Sequence, residues 1–441
     1  MIASSLNLMV PWQPVANDEW KLVQVKRYYD VILGKMLQNT AQSYEDEEIP
    51  YLKAQHVQWN EVRMDDLPTM WASPSEIEML RVQEGDLLVC EGGEVGRAAI
   101  IKGEPPVGCI IQNALHLVRP KEGAETRFLK YLLECAVAQA WLDALCNRST
   151  IAHFTVEKFR EMWIRIPPLS IQRAIATYLD RETARIDAMI ATKRRLIELL
   201  TEKRRALITH AVTRGIDSHV PIRDSGVEWI GEVPEVWRIE LSRRFIRDIE
   251  QGWSPIAEER RAGADEWAVI KLSAVKNGRF FAEEHKALPA DYDIPAHLEI
   301  QPGDFLLSRA NTPLFVGDVC VVGETRSKLI FSDLIYRLAL KSDQIDANYL
   351  KYLLLSPVGR SQIETQARGS SQSMVKISQD HIQEWVVPLP PLVEQQAIVC
   401  FLDKALGQIV QLQVIAEQTI ILLHERRAAL ISTAVTGQLA I

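Results

Sequence analysis

One phrase occurs twice in the sequence, as IPPLSIQRAIATYLD at residues 166–180 and as LPPLVEQQAIVCFLD at residues 389–403. When the chain is aligned with itself at an offset of 223 residues, roughly 20 of the 50 positions from 166 to 215 are identical. The match extends to ALITHAVT at 206–213 and ALISTAVT at 429–436. A repeat with so long a period is a whole domain with its connector, not a solenoid unit. The sequence therefore predicts a duplicated architecture.

Both copies of the phrase lead into the pattern of a long amphipathic helix. Proline is tolerated at the start of a helix and excluded from its interior, so each Pro-Pro-Leu marks a helix start. An apolar stripe at spacings of three, four and seven residues then continues for about 40 residues, or ~60 Å of helix. The stripe consists of Leu179, Ile186, Ile190, Ile197, Leu200 and Leu207 in the first copy and of Leu402, Ile409, Ile420, Leu423 and Leu430 in the second.

A helix of this length with a single apolar stripe needs a packing partner. The other copy is the nearest candidate, and the domain between the copies lets the chain return. This favours an antiparallel intramolecular coiled coil with a globular half at each end of a rod. The alternative is that each helix packs separately into the core of its own domain.

The segments outside the helices show a mixed pattern. Short β-rich runs at 85–101 and 303–322 contain Gly and Asn turns. Helical runs follow at 128–146 and 349–355, where FLKYLL and YLKYLL form a weaker repeat. We therefore predict a mixed α/β (α+β) fold class with two similar globular domains separated by two long helices. The predicted boundaries are 1–165 and 216–388 for the domains, and 166–215 and 389–441 for the helices.

Composition is that of a soluble globular protein of several domains. The 441 residues are 47% hydrophobic and 24% charged, which suits two to four domains. The six cysteines form no CxxC pair and the nine histidines no HxxxH pattern, so we expect reduced buried thiols and no metal site. The N-terminal MIASSLNLMVPWQPV lacks the features of a signal peptide, and no stretch is expected to approach the ~20 apolar residues of a membrane span. A cytoplasmic location without membrane contact is expected.

Motifs of common catalytic sites are missing from the sequence. It contains no GxxxxGK[ST] phosphate loop and no GxSxG elbow. None of the three Pro-Pro pairs has the Asn or Asp and aromatic neighbours of an amino-methyltransferase. The run EGGEVG at 91–96 resembles a phosphate loop, but no Lys-Ser/Thr follows it. We predict that the chain is not an enzyme; a nuclease with a divergent site is the alternative.

Several segments together resemble a known family. These are DSGVEWIGEVPEVWRI (224–239), LIELLTEKRRALITHAVTRG (196–215), RRAALISTAVTGQL (426–439) and both copies of the opening phrase. They resemble the specificity subunits of type I restriction–modification systems. PPLxEQ at 390–395 is very typical of that family. The first copy departs from it mildly, with Ser170-Ile171-Gln172 where an acidic residue usually precedes the glutamine.

The resemblance implies a division of labour. This chain would be the non-catalytic DNA-reading subunit, whose two target-recognition domains each read one half of an asymmetric bipartite target in double-stranded DNA. The helices would set the spacing and dock two methyltransferase (modification) subunits, which bring S-adenosylmethionine. Motor-nuclease (restriction) subunits would bring ATP and Mg, so no cofactor is expected in this chain. The alternative within the binding class is a coiled-coil adaptor that does not read DNA.

Charge is unusual for a DNA-binding chain. The formal net charge is −8, and both globular halves are acidic, whereas residues 170–215 hold ten basic and five acidic residues. Because phosphate attraction depends on local contacts, we expect basic residues gathered on one face of each half, or supplied by the methyltransferase subunits. The run KRRLIELLTEKRR at 193–205 is interpreted as a solvated or subunit-facing helix surface in preference to a DNA patch.

Candidate base-reading residues lie in four polar runs. Arginine pairs with guanine, and asparagine or glutamine with adenine, and loops commonly carry such side chains. The runs are EGGEVGR (91–97) and NRSTIAH (147–153) in the first half, and SRANT (308–312) and ARGSSQS (367–373) in the second. Ordinary turn polarity is the alternative. The predicted DNA-contacting residues are Glu94, Arg97, Arg148, Ser149, Thr150, His153, Arg309, Asn311, Arg368, Ser370, Ser371 and Gln372.

Overall fold

The computed structural model describes residues 10, 12–13, 20–146, 153–371 and 374–439. It separates into two compact units. The first unit comprises Met1–Lys193 and Glu417–Ile441, and the second comprises Arg194–Ala416. Each unit therefore contains one globular domain together with a portion of each long helix.

The first globular domain is built from short strands and four short helices among its described residues. The strands are β1 Lys21–Gln24, β2 Tyr29–Leu33, β3 Glu47–Leu52, β4 Val57–Gln58, β5 Glu61–Val62, β6 Thr69–Ala72, β7 Leu87–Cys90, β8 Ala98–Ile100, β9 Ile110–Ile111, β10 Leu115–Pro120 and β11 Trp163–Ile166. The helices are α1 Pro74–Leu80, α2 Thr126–Ala138, α3 Trp141–Leu145 and α4 Val156–Glu161. A four-stranded antiparallel sheet in the order β2–β10–β7–β8 lies beside a three-stranded sheet in the order β6–β3–β9, and β1 pairs with β11.

The second globular domain repeats this plan. Its strands are β12 Ile222–Asp224, β13 Glu232–Pro234, β14 Arg238–Leu241, β15 Ile246–Gln251, β16 Ala268–Ile270, β17 Val275–Lys276, β18 Arg279–Phe280, β19 His285–Ala287, β20 Phe305–Ser308, β21 Ala310–Asn311, β22 Val319–Val321, β23 Leu329–Ile330, β24 Ile335–Leu340, β25 Arg368–Ser371, β26 Met374–Lys376 and β27 Val386–Leu389. The long helix α5, Leu169–Arg214, precedes this domain in sequence. The short helices of the domain are α6 Ala347–Leu355, α7 Pro357–Gln366 and α8 Gln379–Gln383. The order β15–β24–β20–β22 matches the first four-stranded sheet, β19–β16–β23 matches the three-stranded sheet, and β14–β27 matches β1–β11. The mixed α/β fold class with two similar domains is therefore confirmed.

The central strands explain the continuous apolar runs in the sequence. All four residues of β7 and all four of β20 are buried. A strand buried on both faces loses the alternation of a half-exposed strand and reads as an unbroken apolar run. Helices α2 and α6 supply cover in their respective units, since most of their side chains are buried.

The predicted helical run at 128–146 is interrupted, which corrects the sequence expectation. Helix α2 ends at Ala138, and α3 begins at Trp141. Between them Ala140 has φ +55°, in the left-handed region, which is uncommon for a residue with a Cβ. No Gly or Pro marks this break, so apolar periodicity alone could not reveal it.

The two long helices begin immediately after the two Pro-Pro pairs. Helix α5 is Leu169–Arg214, with 46 residues, and helix α9 is Leu392–Val435, with 44 residues. Within the first unit, Ile186 and Ile190 of α5 pack against Leu423 of α9 in a cluster whose buried members come from these helices alone. The helices therefore contact each other directly, as the coiled-coil prediction requires.

The helices are antiparallel within each unit. Leu179, which precedes Ile186 in α5, shares a core with Ile431, which follows Leu423 in α9. In the second unit, Gln413 Nε2 donates to Thr201 Oγ1 at 3.1 Å, and the hydroxyl of Tyr349 lies within hydrogen-bond distance of the carbonyl oxygens of both Val212, later in α5, and Pro388, just before α9. Of the predicted stripe, Leu179, Ile186, Ile190, Leu200, Leu402, Ile409 and Leu423 are buried, whereas Ile197, Leu207, Ile420 and Leu430 are partly buried.

A buried glutamine anchors the start of α5 to its domain. The side chain of Gln172 is fully buried. Its Nε2 donates to the carbonyl oxygens of Gly123 at 2.9 Å and Pro167 at 2.8 Å, and its Oε1 accepts from the N–H of Glu125 at 2.9 Å. One side chain thus joins the helix start to the segment that precedes α2.

The second copy of the phrase makes the same anchor. Gln395 is also fully buried. Its Nε2 donates to the carbonyl oxygens of Gln344 at 3.0 Å and Pro390 at 2.9 Å, and its Oε1 accepts from the N–H of Asp346 at 2.8 Å. The glutamine recurs in both copies because three backbone groups depend on it in each unit.

A tyrosine–aspartate contact forms a second anchor in each unit. The hydroxyl of Tyr131 on α2 donates to Asp180 Oδ1 on α5 at 2.7 Å. In the second unit, Tyr352 on α6 donates to Asp403 on α9. One side of this contact is therefore the tyrosine of the FLKYLL and YLKYLL repeat. The other side is the aspartate that ends each copy of the opening phrase.

The end of α9 closes on the beginning of the first domain. Gly437 has φ +72°, and a Cβ there would lie 3.0 Å from the ring of Trp20. Gly215, which follows α5 in the second unit, has φ +76° and is placed similarly against Trp237. The buried Gln13 also donates to the carbonyl oxygen of Val435 at 2.9 Å. The first domain is thus held by the last residues of the chain as well as by α5.

Helix α9 is more apolar than the sequence analysis allowed. An 18-residue window within Leu392–Val435 has a mean hydropathy of 1.5, and 22% of that window is buried. By length and composition this helix could cross a membrane, so the expectation that no stretch approaches a span is wrong here. A core helix of a soluble protein passes the same test. The large apolar side chains exposed along it are Val393, Phe401, Val410, Leu412, Val414, Ile415, Ile421 and Leu422.

Candidate nucleic-acid interface

The two polar runs predicted in the second half come together in the structure. Strand β21 carries Asn311, which pairs opposite Val375 of β26. Strand β26 pairs in turn with β25, which starts at Arg368. The N–H of Ile377 donates to the carbonyl oxygen of Arg309 at 2.9 Å. The described parts of the SRANT and ARGSSQS runs therefore lie in one three-stranded sheet of β21, β26 and β25, which we call the second reading sheet.

Arg309 is fixed at the edge of the second reading sheet. Its Nη1 donates to the carbonyl oxygen of Asp333 at 3.2 Å, and its guanidinium lies 5.5 Å from the ring centroid of Tyr336. Its Nε is buried without a hydrogen-bond partner among the described residues. The side chain is partly exposed and held by these contacts, so it has the ordered position that base readout requires.

Asn311 and the turn after it are held by local bonds. Asn311 Nδ2 donates to Ser308 Oγ at 3.3 Å, and its Oδ1 accepts from the N–H of Thr312 at 2.8 Å. Arg360 on α7 donates to the carbonyl oxygens of Pro313 at 3.3 Å and Val316 at 2.5 Å. The loop is therefore pre-ordered, and Asn311 must exchange local bonds before its amide can pair with a base.

The first half also brings its 91–97 run next to His153, the described end of its 147–153 run. The N–H of Phe154 donates to the carbonyl oxygen of Glu91 at 2.8 Å. The exposed His153 lies beside Gly92, with Nδ1 3.5 Å from the position that a Cβ would take there. The segments 91–97 and 153–154 therefore form one surface, the first reading surface.

Glu94 and Arg97 form an internal network within that surface. Glu94 accepts from Trp59 Nε1 at 2.8 Å and from Arg97 Nη1 at 2.9 Å. Arg97 Nη2 donates to the carbonyl oxygen of Ala54 at 2.9 Å, and the arginine side chain is 15% exposed. The structure gives Arg97 a supporting contact, and its predicted DNA contact stays a prediction.

Part of the predicted set lies outside the described residues. This is so for Arg148, Ser149, Thr150 and Gln372. Arg368, Ser370 and Ser371 belong to β25, and the structure describes only their backbone. The base-reading roles of these residues stay predictions.

Two polar residues that the sequence analysis missed lie at matching places in the units. Asn113 precedes β10 and donates its N–H to the carbonyl oxygen of Lys35 at 2.9 Å. Asp333 precedes β24 and accepts from Ser254 Oγ at 2.5 Å. Asparagine can pair with adenine, and aspartate can accept from cytosine. The sequence feature that could have identified these two residues is the similarity between IIQNALHL (110–117) and LIFSDLIYRL (329–338). In both halves a polar pair interrupts an apolar run.

No group of three or more His, Cys, Asp or Glu side chains able to hold a metal occurs among the described residues. Five of the six cysteines are buried, and Cys400 is exposed. Burial raises the pKa of the Cys109 and Cys320 thiols to about 12, which makes them poor nucleophiles. What the described surfaces offer is hydrogen-bonding side chains on ordered turns.

Comparison with known proteins supplies the deciding observation. Residues 17–199 and 296–417 match the family model described as the type I restriction modification DNA specificity domain. These two segments cover more than half of the chain, and each includes parts of one globular domain and a long helix. The chain belongs to this family. It is accordingly a DNA target-recognition subunit with two recognition domains, and not an enzyme.

Curated relatives of this specificity subunit are similar over different lengths. The EcoEI type I restriction enzyme specificity subunit of Escherichia coli is 32% identical over 173 residues, which cover 39% of this chain and 29% of that protein. The MjaVIII specificity subunit of Methanocaldococcus jannaschii is 23% identical over 389 residues, which cover 86% of this chain and 84% of that protein.

Solved structures share the fold of this specificity subunit. A chain from a study of complex assembly and conformational transition of the type I R-M system has a TM-score of 0.69 and is 16% identical, with 96% of this chain and 99% of that chain covered. The HsdS subunit from Thermoanaerobacter tengcongensis has a TM-score of 0.54 and is 18% identical, with 96% and 98% covered. Both recognition domains and both helices therefore have counterparts in solved structures.

Acid should destabilise the first recognition domain through His116. This side chain is fully buried, and its Nε2 lies 2.7 Å from the carbonyl oxygen of Phe154, beneath the first reading surface. Burial lowers the pKa of His116 from 6.5 to about 4. Between these values the unfolded chain binds a proton that the folded chain does not, so stability falls as the pH drops from 6.5 towards 4, by about 3 kcal/mol.

The measurement is thermal unfolding of the specificity subunit and of its His116→Gln variant across that pH range. Glutamine retains a donor for Phe154 but does not titrate, so the variant should lose part of the acid sensitivity of the first-unit transition. An equal acid response in both proteins would show that other groups cause it.

Arg309→Ala should weaken methylation of the cognate DNA site without impairing assembly of the methylating complex. A bidentate arginine–guanine pair contributes ~1–3 kcal/mol of discrimination, or about tenfold or more in rate at limiting enzyme. The assay compares methylation rates of reconstituted complexes, with Arg326→Ala, which is bonded to backbone oxygens within the second unit, as the control for loss of an arginine. Unchanged methylation in Arg309→Ala would remove this residue from the predicted set.

Proposed function

We propose that this specificity subunit reads an asymmetric bipartite target in double-stranded DNA, one half with each recognition domain. The reading surfaces lie at corresponding places in two domains of the same topology, but their residues differ. The second unit presents Arg309, Asn311 and Asp333, whereas the first presents Glu91, His153 and Asn113, so the two half-sites should differ in sequence.

The observation that carries this proposal is the formation of the second reading sheet. Strand β21 (Ala310–Asn311) is distant in sequence from β25 (Arg368–Ser371) and β26 (Met374–Lys376), yet the three form one sheet. A two-stranded ribbon fits the major groove, where each base pair has a distinct donor and acceptor pattern. Ordinary turns would leave the two runs apart, so their convergence favours a reading role over mere surface polarity.

We further propose that the long helices fix the spacing of the two half-sites and dock two methyltransferase subunits. The exposed apolar side chains of α9 support the docking role, because Val410 and Val414 are each 45% exposed and Ile415 is 57% exposed. Contiguous exposed apolar residues on a helix of a soluble protein are typical of a protein interface. A coiled-coil adaptor that ignores DNA would account for this face but not for the reading sheet.

The chemistry of the complex would then come from its partners. The methyltransferase subunits would bring S-adenosylmethionine, and motor-nuclease subunits would bring ATP and Mg, while this chain would need no cofactor. A cytoplasmic location accords with that role, since DNA and these cofactors are found there. The apolar surface of α9 would be covered by protein in the complex and would not enter a membrane.

The test is co-expression of the chain with its methyltransferase subunit, followed by mapping of methylated bases across the host genome. Two short, different half-sites separated by unspecified bases should appear. Deleting strands β25 and β26 of the second reading sheet should erase one half-site requirement. A continuous palindrome would contradict two independent readers, and metal-dependent DNA cleavage by the chain alone would favour the nuclease alternative.

A further inference from the structure

Each unit contains a cleft where its recognition domain meets the long helices, and the two clefts occupy matching positions. The first cleft has a volume of about 530 Å³ and the second about 480 Å³. The offset of the repeat relates their helix residues pair by pair. The pairs, first cleft then second, are Asp180 and Asp403, Thr183 and Leu406, Ala184 and Gly407, and Asp187 and Val410. The clefts are therefore duplicates whose chemistry can be compared directly.

Positive groups in and beside the first cleft are balanced by acidic groups of the same unit. Arg427 on α9 forms an ion pair with Glu134 of α2, and its Nε lies 3.0 Å from Asp187 Oδ1 of α5. Nearby, Lys130 donates to Asn60 Oδ1. The cleft itself is lined by three basic and three acidic side chains, which balance in charge: Lys102, Arg127, Lys130, Glu84, Asp180 and Asp187.

The second cleft lacks both of those carboxylates. Arg204 corresponds to Arg427, and it lines the cleft together with Arg205 and Arg279. The positions of the two acids are taken by Leu355 and Val410. Among the described residues, no carboxylate forms an ion pair with any of these three arginines.

One carboxylate does lie in the second cleft, but it is already engaged. Asp403 accepts a hydrogen bond from the hydroxyl of Tyr352. Lys351 lies beside them, with Nζ 2.7 Å from Asn348 Oδ1. The second cleft therefore has a surplus of positive charge above a partly apolar wall, whereas the first does not.

Gly407 gives a second, independent indication that something enters this cleft. It lies in the interior of α9, where glycine is unfavourable relative to alanine. A Cβ at Gly407 would have no heavy atom within 4 Å, so packing within the chain does not require glycine there. The absence of a side chain leaves room beside the exposed Val410 for the close approach of another chain.

We propose that the second cleft docks an acidic segment of the methyltransferase subunit. Carboxylates of that segment would pair with Arg204 and Arg205, and an apolar side chain would lie against Leu355 and Val410 as the segment passes over Gly407. A DNA backbone offers no apolar side chain to cover Leu355 and Val410, which favours protein over phosphate. The inference rests on the proposed docking of methyltransferase subunits and adds where and by what chemistry one of them is held.

The experiment titrates purified methyltransferase subunit into the specificity subunit and measures affinity by calorimetry. Arg204→Glu combined with Arg205→Glu should weaken binding at one of the two sites by about tenfold or more, because charges of the same sign would then face each other across the contact. Lys203→Glu is the matched control. It reverses one charge, against two in the double variant, at the neighbouring exposed position, which does not line the cleft, and it should leave affinity within about twofold.

Gly407→Ala separates docking from folding. The added methyl group should raise the melting temperature of the isolated specificity subunit, since alanine favours the helix, yet it should weaken methyltransferase binding. Gln408→Ala, at the adjacent exposed position of the same helix, should change neither property appreciably. A variant that is more stable and binds less well cannot owe its loss of binding to misfolding.

The outcomes are distinct. Unchanged affinity in the double arginine variant and in Gly407→Ala would overturn the docking proposal while leaving DNA reading intact. Normal assembly with loss of DNA binding would mean that the arginines contact phosphate, which also overturns it. If the unaltered chain binds no methyltransferase subunit at all, the proposed function fails and the docking proposal fails with it.

Discussion

Gln395→Ala should lower the free energy of unfolding of the second unit by about 3 kcal/mol or more. The substitution removes three hydrogen bonds and leaves the N–H of Asp346 and the carbonyl oxygens of Gln344 and Pro390 without their partner. Because Gln395 is fully buried, water cannot readily replace the lost side chain. Buried backbone groups without partners cost ~1–3 kcal/mol each.

The effect should appear in calorimetry as a lower melting temperature for one of two unfolding transitions. Gln396→Ala is the control, since it removes the same side chain from the adjacent exposed position and should be nearly neutral. Gln172→Ala should lower the other transition by a similar amount, because Gln172 makes the matching three bonds in the first unit. A loss below about 1 kcal/mol in both variants would mean that the glutamines are not structural anchors.

The starts of the helices could be predicted because the controlling physics is local. Proline has no N–H and a fixed φ, so Pro-Pro before Leu169 and Leu392 sets where a helix can begin. The apolar stripe then follows from helix geometry alone. The role of Gln172 could not be derived in the same way, since Gly123 and Glu125 are distant in sequence and only the folded chain brings them to its side chain.

The candidate reading residues show where sequence reasoning stops. Arg97 and Arg309 looked equivalent as arginines in polar runs. The fold gives Arg97 partners on Glu94 and Ala54, whereas Arg309 donates to the carbonyl oxygen of Asp333 and lies against the ring of Tyr336. Partners distant in the chain decide this difference. Asp333 was missed because its run reads as an apolar strand with a polar interruption, which is also the pattern of a simple turn.

The duplicated halves keep their scaffold contacts and differ in their surfaces. Tyr131 and Tyr352 contact equivalent aspartates, and the sheet orders agree. At the helix clefts, by contrast, Asp187 is replaced by Val410. Scaffold contacts are constrained by buried hydrogen bonds, which are costly to break, whereas surface residues can change with the partner or the half-site.

Gly252→Ala should destabilise the second unit by about 3 kcal/mol and impair reading of one half-site. A Cβ at Gly252 would lie 2.2 Å from the carbonyl oxygen of Phe331 and 2.4 Å from that of Ser332. These are backbone atoms, which cannot move aside as a flexible side chain can. The strain would fall directly on Asp333 and, through its carbonyl oxygen, on Arg309.

Gly323→Ala is the matched control, because a Cβ there would meet no heavy atom within 4 Å. Urea unfolding of both variants and methylation rates of the assembled complexes would measure stability and reading separately. Gly34→Ala should act alike in the first unit, since its Cβ would lie 2.2 Å from the carbonyl oxygen of Gln112, the residue before Asn113. If Gly252→Ala unfolds at the same urea concentration as the unaltered chain, the close approach of β15 to the segment before β24 is wrong. If stability falls while both half-sites are still required for methylation, the strand end would support the domain without placing the residues that read DNA.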